Sequence, residues 1–181
     1  MTTPEFSRPQ RLDQIGAGES QVSVSTDEAE RAALAERFGL QSIELLEADY
    51  TLRRTASGVR ATGTLRASVV QSCVATGDPV PAKIDEAFDI RFVPESDTVE
   101  EIELSEDECD TVFYSGGAID LGEAAAETLA LALDPFPRSP RADEVLKRAG
   151  VVGEDEVEAV EEEPASPFAG LGALKDALNK K

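Results

Sequence analysis

A chain of 181 residues, 41% hydrophobic but without Trp and poor in aromatics, suits one domain plus extensions whose core is built mainly from Leu, Ile, Val and Ala. The absence of His, with Cys73 and Cys109 as the two cysteines, excludes Ser-His-Asp and Cys-His catalysis, His-ligated metals, a four-Cys zinc site and a disulfide framework. A net charge of −20 argues against nucleic-acid binding by the chain as a whole, because that affinity rests on Lys and Arg at phosphates.

Residues 1–20 read as an extended N-terminal arm, polar and proline-bearing over its first 12 residues. Gln21 to Ser25, QVSVS, alternates as a short strand. Ser25-Thr26-Asp27-Glu28 has the spacing of a capping box and opens a helix with Leu34 and Phe38 on one face; Gly39 ends it and Leu40 covers its last turn. Ser42 to Thr55 reads as a strand with Ala48, Tyr50 and Leu52 on one side, followed by a turn at Ser57-Gly58. From Val59 to Val69, apolar or small residues alternate with Arg60, Thr62, Thr64, Arg66 and Ser68, which predicts an antiparallel strand with one wet face. Gly77-Asp78-Pro79 is a turn, and Ile84, Phe88, Ile90 and Phe92 mark a strand ending at Pro94.

Residues 95–117 read as an acidic loop: Glu95 to Asp110 holds nine acids and no base, and Thr111 to Tyr114 gives one short strand before Gly116-Gly117. Asp120 caps the next helix with Glu123 as its capping-box partner, and Leu121, Ala125, Leu129 and Ala132 form the buried stripe. Asp134-Pro135 stops that helix. A short helix from Arg141 to Ala149 ends at Gly150. Residues 150–166 are an acidic disordered linker, and 167–181 a short amphipathic C-terminal helix with Phe168, Leu171, Leu174 and Leu178 on one side. The expected fold over 21–149 is α+β, an antiparallel sheet with helices Ser25–Phe38 and Asp120–Leu133 packed on it.

No apolar run approaches the roughly 20 residues of a membrane span, and MTTPEFSRPQ lacks the apolar core of a signal peptide, so cytoplasmic residence is expected. Neither GxGxxG nor GxxxxGK[ST] occurs. The charge is uneven. Residues 1–94 carry 10 bases and 14 acids, residues 95–163 carry 4 and 22, and residues 164–181 carry 3 and 1. Any contact with nucleic acid would therefore have to come from the first 94 residues or the end of the tail.

Four pieces of the chain carry a resemblance: Gly63-Thr64-Leu65 through Cys73 to Pro79-Val80; Phe88-Asp89-Ile90-Arg91-Phe92-Val93-Pro94; Ile119-Asp120-Leu121-Gly122-Glu123 with Leu129 to Leu133 and Pro135–Pro137; and Ser166-Pro167-Phe168-Ala169 with Leu171, Leu174 and Lys175. In this order and spacing the chain resembles the YceD family, the large ribosomal RNA subunit accumulation proteins. The resemblance implies a part in synthesis, processing or accumulation of large-subunit (23S) ribosomal RNA, with no established catalytic activity and no agreed active-site residues. Many relatives have Cys-x-x-Cys at the central turn; here it is Cys73-Val74-Ala75-Thr76, and relatives' further C-terminal cysteines have no match, so a metal-binding reading of the family does not carry over.

Arg53, Arg60 and Arg66 are expected on one exposed sheet face, with Arg91 extending it. They read either as an RNA-phosphate surface or as a solvated face paired with Asp49, Asp85 or Asp89. No aromatic residues interleave with them, so no stacking platform is expected. Cys73 reads as a small buried hydrophobe and Cys109, among acids, as unactivated. The acidic stretches read as solubilising spacers, or as holders of basic proteins. The stripe Phe168, Leu171, Leu174 and Leu178 docks either on its own domain or in a partner's groove. Asp120 and Glu123 have a sufficient structural role, which leaves no carboxylate enzyme site. The expectation is a non-enzymatic ribosome-biogenesis factor with large-subunit ribosomal RNA precursor as partner, or alternatively an acidic adaptor or chaperone for a basic ribosomal protein. No cofactor, metal, membrane or small-molecule substrate is expected.

Overall fold

The computed structural model describes residues 4–16, 18–95 and 110–151. The acidic residues 96–109 with Cys109, most of the 150–166 linker, and the C-terminal Phe168, Leu171, Leu174 and Leu178 lie outside the described residues. The chain divides into two units between Ser139 and Pro140.

The first unit is α+β. In chain order it contains β1 (Pro9–Arg11), a 3-10 turn (Leu12–Gln14), β2 (Ser20–Ser25), α1 (Glu28–Phe38), β3 (Ser42–Thr55), β4 (Gly58–Ser72), β5 (Pro79–Pro94), β6 (Thr111–Tyr114), β7 (Ala118–Asp120) and α2 (Leu121–Ala132). A five-stranded sheet runs β2-β3-β4-β5-β6. It is antiparallel except for β5 and β6, which are parallel. The period-2 alternation of β3 and β4 puts Leu46, Tyr50, Leu52, Leu65 and Val69 into one core with Leu34 of α1 and Leu121 and Leu129 of α2. Both helices thus cover one face of the sheet, and the polar half of each strand is left on the other.

The α1 cap is Asp27, not Ser25. Ser25 is still paired with Glu47 in the sheet, so its backbone is committed to β2. Asp27 is the first residue released from that pairing; its carboxylate accepts the Glu30 N–H at 2.8 Å while Glu30 accepts the Asp27 N–H, a capping box shifted by two residues. Gly39 closes the helix in the left-handed conformation, as expected from its position. At α2, Asp120 caps Gly122 and Glu123, but Glu123 does not return to its own cap. Its carboxylate is drawn instead to Arg37 of α1, which it meets at 2.7 and 3.0 Å, tying the two helices together.

The N-terminal arm is stitched into the core. Phe6 is fully buried, and β1 pairs antiparallel with β7, Pro9 opposite Asp120. Asp120 is the knot: it accepts the Ser7 hydroxyl and the Arg8 N–H, in addition to capping α2. Arg8 then reaches Glu30 of α1 through both guanidinium nitrogens, at 2.6 and 2.8 Å.

One close approach shapes the sheet. Gly63 on β4 lies opposite Tyr50 on β3 and Phe88 on β5, whose rings meet across it with centroids 4.8 Å apart. A Cβ at Gly63 would overlap the Asp49 carbonyl oxygen and come within 2.9 Å of Phe88 Cζ. The Tyr50 hydroxyl donates to the Leu121 carbonyl at 2.8 Å, fastening α2 to the sheet centre. The second unit contributes α3 (Ala142–Arg148), with an Arg148–Glu144 ion pair of 2.7 Å on its surface.

Candidate functional site

The face of the sheet opposite α1 and α2 gathers the arginines. Arg53 on β3 is directly opposite Arg60 on β4, and Arg60 is directly opposite Arg91 on β5. Adjacent strands are about 4.8 Å apart, so three cations form a row straight across the sheet. Arg66 is on the same face but six residues along β4 from Arg60, roughly 20 Å away. It sits among acids, 3.0 Å from Glu47 and 3.1 Å from Asp49. The structure therefore brings Arg53, Arg60 and Arg91 together and leaves Arg66 apart.

Within the row, Arg60 is engaged side-on by Asp89, Nε to Oδ1 at 2.8 Å with a second contact from Nη2 to Oδ2. This hydrogen bonding, with the Arg60 and Arg91 charges and against a smaller desolvation effect, holds the Asp89 carboxyl below its ordinary range. Arg53 is exposed and has no ion-pair partner among the described residues. Across the whole face Arg53, Arg60, Arg66, Lys83 and Arg91 interleave with Glu44, Glu47, Asp49, Asp85 and Asp89, so positive and negative groups balance. That balance contrasts with the −20 of the chain, and the row is its positive end.

Strand β6 adds a residue that sequence reasoning missed. Thr111 is in register with Arg91 and Phe113 with Val93, while the intervening Val112 joins Phe92 in the core. Phe113 is thus on the arginine face, 60% exposed, two residues beyond the row. No aromatic interleaves along β4 itself; the ring arrives from a strand whose pairing no local pattern announces. A period-2 reading of Thr111 to Tyr114 would have signalled that Phe113 faces away from Val112 and Tyr114.

The central turn is a second polar feature. Cys73 is 3% exposed, in keeping with its reading as a buried side chain. Burial works against its thiolate, yet the Thr76 hydroxyl, the N–H and hydroxyl of Ser139 and the Ala75 N–H outweigh it and bring the thiol down to about 6. Hydrogen-bond donors, not cations, do this. Thr76 is 3.2 Å from the Ser139 hydroxyl, and the Ser139 hydroxyl donates to Asp78 at 3.1 Å. The turn is tied to the Pro135–Pro137 element by Val74 N–H to the Pro137 carbonyl at 2.9 Å and by the Gln71 amide to the Asp134 carbonyl at 2.8 Å. Among the described residues no group of three or more Cys, Asp or Glu is placed to hold a metal ion, and no helix is long and apolar enough to cross a membrane.

No curated protein and no solved structure matches the chain. The family model described as "Large ribosomal RNA subunit accumulation protein YceD" matches residues 61–175. That match takes in β4 from Ala61 onward, β5, the Cys73 turn, Phe113, Asp120 and α2; of the row it includes Arg91, while Arg53 and Arg60 lie outside it. The chain belongs to the YceD family, the large ribosomal RNA subunit accumulation proteins.

Proposed function

We propose that this protein is a non-enzymatic cytoplasmic factor in the synthesis, processing or accumulation of large-subunit ribosomal RNA, and that it contacts precursor RNA through the row Arg53–Arg60–Arg91. Membership of the YceD family supports the biogenesis role. The observation that carries the RNA contact is the row itself: three arginines in lateral register, Arg53 and Arg60 exposed and Arg91 half-buried, next to the exposed ring of Phe113. Arginine pairs with phosphate through two parallel N–H bonds, and an aromatic ring takes an unpaired base by stacking. The Arg60–Asp89 pair does not stand in the way, because a surface ion pair is held weakly and a run of phosphates competes well for it. The acidic remainder of the chain limits how much RNA can lie on the protein to the area of this face.

The test is a binding titration of the full chain with an in vitro transcript of large-subunit precursor RNA across a range of salt. Arg53→Glu plus Arg60→Glu should weaken binding and flatten the salt dependence by about 1–2 units in the log–log slope, as expected for two lost phosphate contacts. Arg66→Glu should do less, because its site is already acidic. Phe113→Ala should weaken binding to unpaired RNA by about 1–3 kcal/mol and leave duplex binding unchanged. Normal binding and normal large-subunit RNA levels with the Arg53/Arg60 double variant would refute the contact.

A further inference from the structure

A cleft of about 530 Å³ opens on the helix side of the sheet, between the free edge of β5, the start of β6 and the outer flank of α2. Its charged lining is acidic alone: Glu86 from β5, Asp110 ahead of β6 and Glu127 from α2. Its apolar lining includes Phe88 and Leu131, and Leu131 is 83% exposed, the most exposed large hydrophobic residue among those described. Burial and the neighbouring Glu123 charge push the Glu127 carboxyl upward against the pull of Arg37, so a cation at this position would relieve it.

Among the described residues, no strand pairs with the edge beside the cleft. Strand β6 covers β5 only from Arg91 to Pro94. The Arg91 N–H bonds outward to the Asp110 carbonyl. By the two-residue repeat of a strand, the N–H and C=O groups of Asp85, Ala87 and Asp89 also point outward, and no described strand meets them. An extended segment laid on this edge would put alternate side chains into the cleft, between Phe88 and Leu131 and beside Glu86 and Glu127.

We propose that this cleft and edge form a docking site for an extended basic segment of a partner protein, in which apolar residues alternate with Lys or Arg. Main-chain bonds to β5 supply affinity, the apolar side chains cover Leu131 and Phe88, and the cations meet Glu86, Asp110 and Glu127. Charge selects this occupant over the chain's own residues 96–109, which have no base and would bring further acids to the same three carboxylates. The site is on the opposite face of the sheet from the arginine row, so it stands or falls separately from RNA contact.

The probe is a fluorescein-labelled peptide of alternating lysine and valine, titrated by anisotropy against the full chain. Leu131→Asp plus Glu127→Lys, two exposed positions whose substitution spares the core, should weaken binding about tenfold or more. Glu144→Lys makes the Glu-to-Lys charge change on α3 and should leave binding within about twofold, and Arg53→Glu plus Arg60→Glu should not weaken it. Equal losses from the cleft variant and Glu144→Lys, or no loss from either, would overturn the proposal. In cells, a photocrosslinking benzoylphenylalanine at position 131 of the full chain should capture a lysine- or arginine-rich segment of another protein, and the crosslink should survive RNase. Crosslinks confined to this chain's own residues 96–109 or 152–181, to a second copy, or to RNA would equally overturn it.

Discussion

Arg53 and Arg60 face each other directly across the β3–β4 hairpin, two cations in opposed cross-strand positions. Like charges so placed oppose folding, and Arg91 on the far side of Arg60 adds to the strain that Asp89 partly relieves. Arg53→Gln should therefore raise the thermal midpoint slightly at low salt, and the gain should shrink as salt approaches about 0.5 M. A variant that gains stability while losing RNA affinity would identify a residue kept for binding. If Arg53→Gln lowers the midpoint at low salt, the row is not under repulsion.

Gly63 is the position at which the sheet is least tolerant. Any side chain there meets backbone on one side and the Phe88 ring on the other, and neither can withdraw without parting Tyr50 from Phe88. Gly63→Ala should destabilise the fold at or above the upper end of the roughly 1–3 kcal/mol typical of overpacking, measured by urea unfolding. Thr62→Ala, one residue away on the polar face, serves as the comparison and should change little.

Asp120 combines two tasks, and they can be separated. Its cap on α2 accounts for about 0.5–2 kcal/mol. Its bonds to Ser7 and the Arg8 N–H hold the arm, so Asp120→Ala should cost more than a cap alone and should speed proteolytic cleavage near Arg11. Ser7→Ala removes one bond to the arm and leaves the cap. It should affect proteolysis more than it affects the cooperative unfolding of the sheet.

The Cys73 turn gives a dependence on pH whose sign follows from its environment. The folded thiol titrates near 6, below the roughly 8.5 of an unfolded cysteine. Its contribution to stability is therefore complete above about 8.5 and is lost as pH falls toward 6. In a Cys109→Ser background, thiolate absorbance at 240 nm should titrate near 6, and Ser139→Ala or Thr76→Val should move it upward. Alkylation of the native protein should nonetheless be slow, because Cys73 is 3% exposed. A titration near 8.5 would mean that those donors do not hold the thiolate.

Much of this fold is legible in the sequence, and the reasons are local. Strands β3, β4 and β5 announce themselves through strict alternation, and α2 through Asp120 and Pro135, because those signals depend only on neighbours in sequence. The shift of the α1 cap from Ser25 to Asp27 was not legible, since it depends on Glu47 holding Ser25 in the sheet. Glu123 was assigned to its cap for the same reason: its competitor Arg37 is 86 residues away. That Arg53 and Arg60 would meet follows from the tight turn between them, whereas Arg91 joins the row only through the register of the longer β4–β5 connection. The period-2 pattern of Thr111 to Tyr114 separates Phe113 from Val112 and Tyr114, but only the parallel pairing of β6 with β5 puts that ring beside the arginines, and Leu131 is off the helix stripe.

The arm gives the protein a clock. Ser7 and Asp120 are 113 positions apart, so Phe6 has no place to go until the far end of β7 has been made. At about 5–20 residues per second, that delay is roughly 6–23 seconds of synthesis during which an apolar ring stays in solvent and the α1 end of the core stays unsealed. Docking of Ser7 and Arg8 on Asp120 is therefore a step that cannot precede the synthesis of β7.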